Sequence, residues 1–330
     1  MSITSDLLSP LVSVIIPTYN RPQYLKQAIF SAALQTYQNI EIIVSDNCSV
    51  ESPASLVADF SDPRIRFWQH PQNVGMLKNQ IHALKMAQGK YVATLHDDDL
   101  WHPDFLATLV PHLEHNSDLI LAFCDQYIID ANGQINLDAT QKTSRAYKRD
   151  QISFGIHKNF LKMGLVDKSI PTAAACVIRN GLINWDAIPL QVGGMWDLYL
   201  TYLSSVSGYG AYYVPEKLTY YREHEQTDTM LSGRRNVKAK ISKAESEIFC
   251  YQIFMNDPHL QSFYNHFKKL WLEAHTTLGI GLIRENQPSA ARSYFWQVLR
   301  QGRLNFRTII ALLISFFHPK LINKFLSSTP

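Results

Sequence analysis

Five short apolar runs, at residues 11–16, 40–45, 64–69, 91–95 and 119–124, are separated by segments whose apolar residues recur at helical spacing. Strands that are apolar along their whole length are covered on both faces, and their alternation with helices argues for an α/β fold built on a mostly parallel sheet. The first run, LVSVII, ends at Pro17-Thr18-Tyr19-Asn20, which stops a strand and opens a loop. Pro22 suits the first turn of the helix that follows, carried by Tyr24, Leu25, Ala28, Ile29, Ala32 and Ala33. Further helices are expected after Pro53 to about residue 60, over 76–88 and over 103–115. Ligands of such sheets collect at the carboxyl ends of the strands, which directs attention to residues 17–20, Asp46-Asn47 and residues 96–99.

A single core stops growing near about 250–300 residues, so a chain of 330 is expected to be one large domain with an appendage. Residues 130–168 are polar and irregular, with an Asn132-Gly133 turn, and read as loops. From about Ala239 the pattern is helical through residue 327, with breaks at Pro288 and Pro319. The expected organisation is 1–125 as one half of the α/β domain, 126–238 as its second half and 239–330 as a helical C-terminal region. A formal charge of +3 is too small at this length to argue for nucleic acid as a partner. Cys48, Cys124, Cys176 and Cys250 are widely spaced and form neither a zinc knuckle nor a compact disulfide framework, which fits a reducing cytoplasm. Residues 1–10 carry Asp6, no basic run and no long apolar run, so no signal peptide is expected. The most apolar stretch, 308–317, falls well short of the ~20 residues that span a bilayer.

The strongest chemical signal is LHDDDLW, three successive carboxylates between a buried strand and a helix. Acids this close raise one another's pKa unless a cation sits among them. Carboxylates whose shell is completed by a diphosphate are the usual setting for Mg²⁺ or Mn²⁺. The plainer alternative is a solvated turn in which Asp99 or His102 caps the helix. No glycine-rich turn follows the first strand, no phosphate-binding G-x-x-x-x-G-K-[ST] occurs and no G-x-S-x-G elbow is present. Dinucleotide-binding dehydrogenases, P-loop enzymes and serine hydrolases of that type are thereby excluded.

The blocks LVSVIIPTYNRPQYLKQAIFSA, IEIIVSDNCS and NVGMLKNQIHALKMAQGKYVATLHDDDLWHPDFL resemble, in this order, those of family-2 glycosyltransferases with the GT-A fold. The resemblance is close over residues 11–106 and continues more weakly through Gly194-Met195-Trp196-Asp197 and Tyr220-Tyr221-Arg222-Glu223-His224. It implies a Rossmann-like GT-A sheet and inverting transfer of a sugar from a nucleoside diphosphate to an acceptor hydroxyl. The acceptor would be a glycan or a lipid-linked molecule, in the synthesis of a cell-surface glycan or polysaccharide.

Carried over by position, Pro17, Thr18, Tyr19 and Asn20 form the nucleotide loop, with Thr18 and Tyr19 against base and ribose. Asp46 matches the acid that accepts a hydrogen bond from a pyrimidine imide, which favours uridine or thymidine, and Asn47 replaces a second acid. Lys78 stands where the family often has an arginine reaching the nucleotide; on a helix surface a lysine is more often simply solvated. The D-x-D-D element aligns as His96-Asp97-Asp98-Asp99, so a histidine replaces its first acid. Asp98 is the expected metal ligand, with Asp97 and Asp99 next; His96 is expected to reach the ribose and His224 the diphosphate or the metal. Asp197 is the expected general base, at a helix N-terminus whose dipole favours a carboxylate, with Trp196 beside it as a stacking face for a sugar. Its plainer role is to stabilise the first helical turn. A different class of reading is a non-catalytic sugar-nucleotide or glycan-binding protein that keeps the fold; His96 in place of an acid motivates it, and Asp98 together with Asp197 speaks against it.

The tail carries Arg284, Arg292, Arg300, Arg303, Arg307, Lys320 and Lys324 against Glu285 alone, beside Ile309, Ile310, Leu312, Leu313, Phe316 and Phe317. That mixture suits a helix lying on an anionic membrane, which would place the protein peripherally on the inner face. The alternative is helices packed on the catalytic domain or on a second subunit of a homo-oligomer.

Overall fold

The computed structural model describes residues 9–224, 236–301 and 305–317. The chain forms two compact units, Met1–Leu190 with Trp196–Glu223, and Gln191–Met195 with His224–Pro330.

The first unit holds a nine-stranded sheet. Strands β1 (Val12–Thr18), β2 (Ile40–Asp46), β3 (Ile65–Gln69) and β4 (Tyr91–Thr94) alternate with helices α1 (Pro22–Ala33), α2 (Ala54–Ala58) and α3 (Met76–Lys85). They lie in the order β3-β2-β1-β4 and are parallel. Next come β5 (Leu100–Trp101), α4 (Phe105–Glu114), β6 (Leu119–Ile129), α5 (Leu137–Ala146), β7 (Gly155–His157), β8 (Cys176–Arg179), α6 (Trp196–Ser205) and β9 (Gly210–Arg222). β8 lies antiparallel between β4 and β6, β9 runs parallel to β6, and β5 and β7 are antiparallel to β9. The expected mostly parallel α/β sheet is present, with three short antiparallel strands added.

On one face of the sheet, Val12, Val14 and Ile16 of β1 and Ile42 and Val44 of β2 join Leu25, Ala28 and Ile29 of α1 and Phe105, Leu106 and Leu109 of α4 in a single buried core. The opposite side of β1 and β2 is covered by α3. With both faces covered, the strands need no polar alternation, which is why they appear as continuous apolar runs. The loop expected over residues 130–168 is only partly a loop: α5 lies within it, capped by Asn136, whose side chain accepts from the Ala139 N–H at 3.0 Å. Among the residues of α5 only Thr140 and Ser144 are buried, so it has no apolar stripe from which a helix could be read.

The second unit is helical: α7 (Val237–Asn256), α8 (Tyr264–Arg284), α9 (Pro288–Arg300) and α10 (Phe306–Ile314). Pro288 opens α9 rather than simply breaking a helix. Ile283, Ala291, Phe295, Ala311 and Leu312 form a core between α8, α9 and α10. A Cβ at Gly279 would stand 2.4 Å from the Phe295 ring, so only glycine allows α8 and α9 to approach this closely. Among the described residues, no helix is long and apolar enough to cross a membrane.

Candidate active site

The sheet order places the ends of β2, β1 and β4 side by side, and their loops are tied together by the backbone. Asn47 N–H donates to Thr18 O at 2.9 Å, and Leu95 N–H to Ile15 O at 2.8 Å. The three polar segments singled out by sequence therefore meet at one edge of the sheet.

The acidic turn is held from several sides. Thr18 Oγ1 donates to Asp97 Oδ2 at 2.8 Å, and the Tyr19 N–H approaches the same oxygen at 3.4 Å. Arg21 Nη1 stands 3.0 Å from Asp97 Oδ1 and 2.9 Å from Asp98 Oδ2. Burial, followed by the neighbouring charge of Asp98, pushes the Asp97 carboxyl up to about 6, although Arg21 and Thr18 pull the other way. Asp99 is buried and accepts the Arg222 N–H at 2.9 Å; burial raises its pKa against the pull of His96. Arg222 is itself buried, lies over the Tyr24 ring and donates from Nε to Asp98 O at 2.7 Å, from Nη1 to Ala131 O at 3.1 Å and from Nη2 to Gln27 Oε1 at 2.8 Å. It thus clamps the backbone of the acidic turn to β9 and α1.

His96 lies between two carboxylates: Nδ1 is 3.3 Å from Asp99 Oδ2, and Nε2 is 3.9 Å from Asp197 Oδ1. Burial works against the imidazolium, but Asp99, Asp197 and Asp98 outweigh it and raise the ring to about 10. Asp197 lies in the first turn of α6, with its side chain 40% exposed, and its Oδ1 accepts the Ala173 N–H at 2.8 Å. Trp196 is 3% exposed, so it does not offer the stacking face expected of it. Its neighbours Tyr199 and Leu200 are buried as well, and the first turn of α6 presents Asp197 rather than the indole.

Asp46 is fully buried, with its carboxylate engaged in its own loop: it accepts from Ser49 N–H and Oγ and from Gln69 Nε2. Asn20 and Cys48 have φ of 54° and 63°, and Asn20 Oδ1 accepts the Val50 N–H at 2.8 Å, linking the β1 and β2 loops. Pro17 is half-buried, while Tyr19, 42% exposed, presents its ring to solvent at this edge. Lys78 is exposed on α3, whereas its neighbour Asn79 is buried and exchanges hydrogen bonds with Ser45. His224 is buried and belongs to the second unit.

Among the described residues, no three His, Cys, Asp or Glu side chains are gathered to hold a metal. The donor set nevertheless suits a hard cation: Asp97 and Asp98 turn carboxylate oxygens to one point, where Arg21 supplies positive charge. Two residues that matter here were not singled out by sequence. Arg21 and Arg222 occur in the quoted motifs without a role; an arginine within one residue of a proline or in a strand carries no signal of what it will pair with.

Residues 13–171 match the profile of Glycosyl transferase family 2. An uncharacterized glycosyltransferase of Methanocaldococcus jannaschii is 37% identical over 134 residues, 39% of this chain and 46% of that protein. One from Haemophilus influenzae is 29% identical over 243 residues, 72% of this chain and 73% of that protein. The first match therefore spans less than half of the relative's length. Among solved structures, S. aureus TarS 1–349 in complex with UDP-GlcNAc aligns with a TM-score of 0.64 at 16% identity, over 92% of this chain and 90% of that one. The mannosyltransferase PcManGT of Pyrobaculum calidifontis, in complex with GDP-Man and Mn²⁺, aligns with a TM-score of 0.55 at 17% identity, over 98% and 84%. At such identities these two show the shared fold and nothing of the donor. The profile of glycosyl transferase family 2 thus covers residues 13–171, just under half of the chain, and the sheet that carries it has the GT-A fold of the two solved structures.

Proposed function

We propose that the chain is an inverting, metal-dependent glycosyltransferase that moves a sugar from a uridine or thymidine diphosphate donor to a hydroxyl of a glycan or lipid-linked acceptor. The observation that carries this reading is the convergence of Thr18, Asp97 and Asp98 at the ends of β1 and β4, linked through His96 to Asp197. Tyr19 offers an exposed aromatic face for the base, and Asp46 either meets the imide or holds the loop that does.

In the reaction, the acceptor oxygen bonds to the anomeric carbon as the bond from that carbon to the β-phosphate oxygen breaks, its electron pair leaving with the nucleoside diphosphate. The hydroxyl proton passes to Asp197, a transfer that contributes ~10²–10⁴-fold in comparable enzymes. Asp98, with Asp97, would hold Mg²⁺ or Mn²⁺, whose chemistry is Lewis-acid stabilisation of the departing diphosphate. Arg222 and Thr18 keep the acidic turn in place, and His96 keeps positive charge between the turn and the base.

The competing reading is a binder without chemistry, favoured by His96 in place of the first acid. A screen of nucleotide sugars for hydrolysis and transfer, with and without EDTA, separates the two. Chelator-sensitive turnover supports the enzyme, whereas tight nucleotide-sugar binding without turnover of any donor supports the binder.

A further inference from the structure

The outer side of α10 is apolar and exposed. Phe306, Ile310, Leu313 and, one turn past the end of the helix, Phe317 follow one another at spacings of four, three and four residues, so they form one stripe. They are 81%, 53%, 58% and 60% exposed. The inner side of the same helix, Thr308, Ala311 and Leu312, is already satisfied: the two apolar residues lie in the α8–α9–α10 core, and Thr308 Oγ1 is 2.8 Å from Thr276 Oγ1. Among the described residues, the stripe is therefore left uncovered by this bundle. Phe316, also exposed, carries the Arg292 guanidinium over its ring at 4.5 Å. Exposed Arg300 ends α9, and exposed Arg307 lies in the first turn of α10, its Nη2 3.5 Å from Thr277 Oγ1.

Charge identifies what covers this face. No Asp or Glu follows Glu285, whereas Arg292, Arg300, Arg303, Arg307, Lys320 and Lys324 do; Arg303, Lys320 and Lys324 lie outside the described residues. In a dimer formed through this face by a two-fold axis, the same basic C-terminal segment would meet itself, with no acid after Glu285 to offset it. An anionic lipid surface offers both what the stripe and what the cations require. At nine residues α10 is too short to span a bilayer but long enough to lie in its interface with the apolar side down.

We propose that α10 docks the protein on anionic membrane, with Phe306, Ile310, Leu313 and Phe317 entering the acyl boundary and Arg300 and Arg307 at the headgroups. This goes beyond the assignment of a glycosyltransferase and does not depend on it.

The test is co-sedimentation of the full chain with phosphatidylcholine vesicles, with and without phosphatidylglycerol. Binding is expected only with phosphatidylglycerol and is expected to weaken with salt. The double variant Phe306→Ser, Leu313→Ser is expected to lower vesicle partitioning roughly tenfold or more. Arg300→Gln or Arg307→Gln is expected to lower it roughly fivefold each. All four side chains are exposed, and the thermal melts of the variants should match the parent. The proposal is overturned if the intact chain stays in the supernatant with phosphatidylglycerol vesicles at low salt, or if the stripe variants partition like the parent. It is equally overturned if light scattering shows a dimer that the stripe variants convert to monomer without any change in vesicle binding.

Discussion

Arg21 and Asp98 form one of the contacts that hold the acidic turn: one guanidinium nitrogen, Nη1, stands 2.9 Å from Asp98 Oδ2 while also lying 3.0 Å from Asp97 Oδ1. Two adjacent, largely buried carboxylates would otherwise repel each other; burial first and the Asp98 charge second raise the Asp97 pKa, and Arg21 pulls against both. A divalent cation entering this point would compete with the guanidinium. Arg21→Gln is therefore expected to destabilise the protein by about 1–3 kcal/mol and to make Mn²⁺ more stabilising than it is for the parent. Thermal melts with and without Mn²⁺ decide: equal Mn²⁺ shifts in the two proteins would remove Arg21 from competition with a cation.

Asp98 is less buried than Asp97 or Asp99, and Asp99 is held by the Arg222 N–H. Asp98→Asn is expected to leave the fold intact and to reduce sugar transfer nearly to background, since an amide is a poorer ligand for a hard cation. Transfer undiminished by excess chelator would count against both the variant's rationale and the metal itself.

The parallel half of the sheet is legible in sequence because β1, β2 and β4 are buried on both faces and so leave unbroken apolar runs. The short strands are not: β5 has two residues, β7 three and β8 four, and each is fixed by neighbours far away in the chain rather than by its own pattern. At the candidate site, residue types at strand ends indicated which polar loops to examine, and these loops meet at one sheet edge, but their pairing was hidden. That Arg21 would reach across to residues 97 and 98, and that Trp196 would turn inward, depends on tertiary contacts that no local motif encodes.

Asp46 spends both carboxylate oxygens on Ser49 and Gln69, so its removal would loosen the loop on which the nucleotide is proposed to rest. Asp46→Ala is expected to weaken uridine or thymidine diphosphate binding by about 1–3 kcal/mol, the usual value of a charged hydrogen bond. Ser49→Ala serves as the companion variant: an equal loss in both indicates loop support, and a loss confined to Asp46 indicates contact with the base. Unchanged dissociation constants by titration calorimetry in both variants would sink either role.

Glu41 provides a pH-dependent element away from the site. Burial pushes its carboxyl up, but Ser13 Oγ at 2.6 Å, the Gln88 N–H at 2.7 Å and Arg66 Nη1 at 2.7 Å outweigh burial and hold it below its ordinary value of 4.5. Because the folded pKa is lowered, the stabilisation is present above about 4.5 and is lost as pH falls through the folded value. Glu41→Gln is expected to cost about 1–2 kcal/mol at pH 7, with the gap from the parent closing as acid is added. Urea melts across that range check the sign: a gap that widens on acidification would contradict it.

Asp197 is proposed as the base, and the geometry allows a variant that separates this role from a structural one. Its Oδ1 accepts the Ala173 N–H at 2.8 Å, so part of its work is to hold the turn before β8, and its side chain is exposed enough for an acceptor hydroxyl to reach. Gly193, at φ 46° and ψ −127°, adopts a backbone that a residue with a Cβ resists, a few residues before Asp197 begins the first turn of α6. An asparagine keeps the size of the side chain and an oxygen for the Ala173 N–H but has no basicity. Asp197→Asn is therefore expected to fold normally, to bind nucleotide sugar with near-parent affinity and to transfer about 10²-fold more slowly or worse. If Asp197 served only to hold the turn, the same variant would transfer at close to the parent rate, whereas Asp197→Ala would lose stability. Steady-state transfer rates and thermal melts of the two variants together distinguish these outcomes, and a fast, stable Asp197→Asn protein would take the residue out of the mechanism.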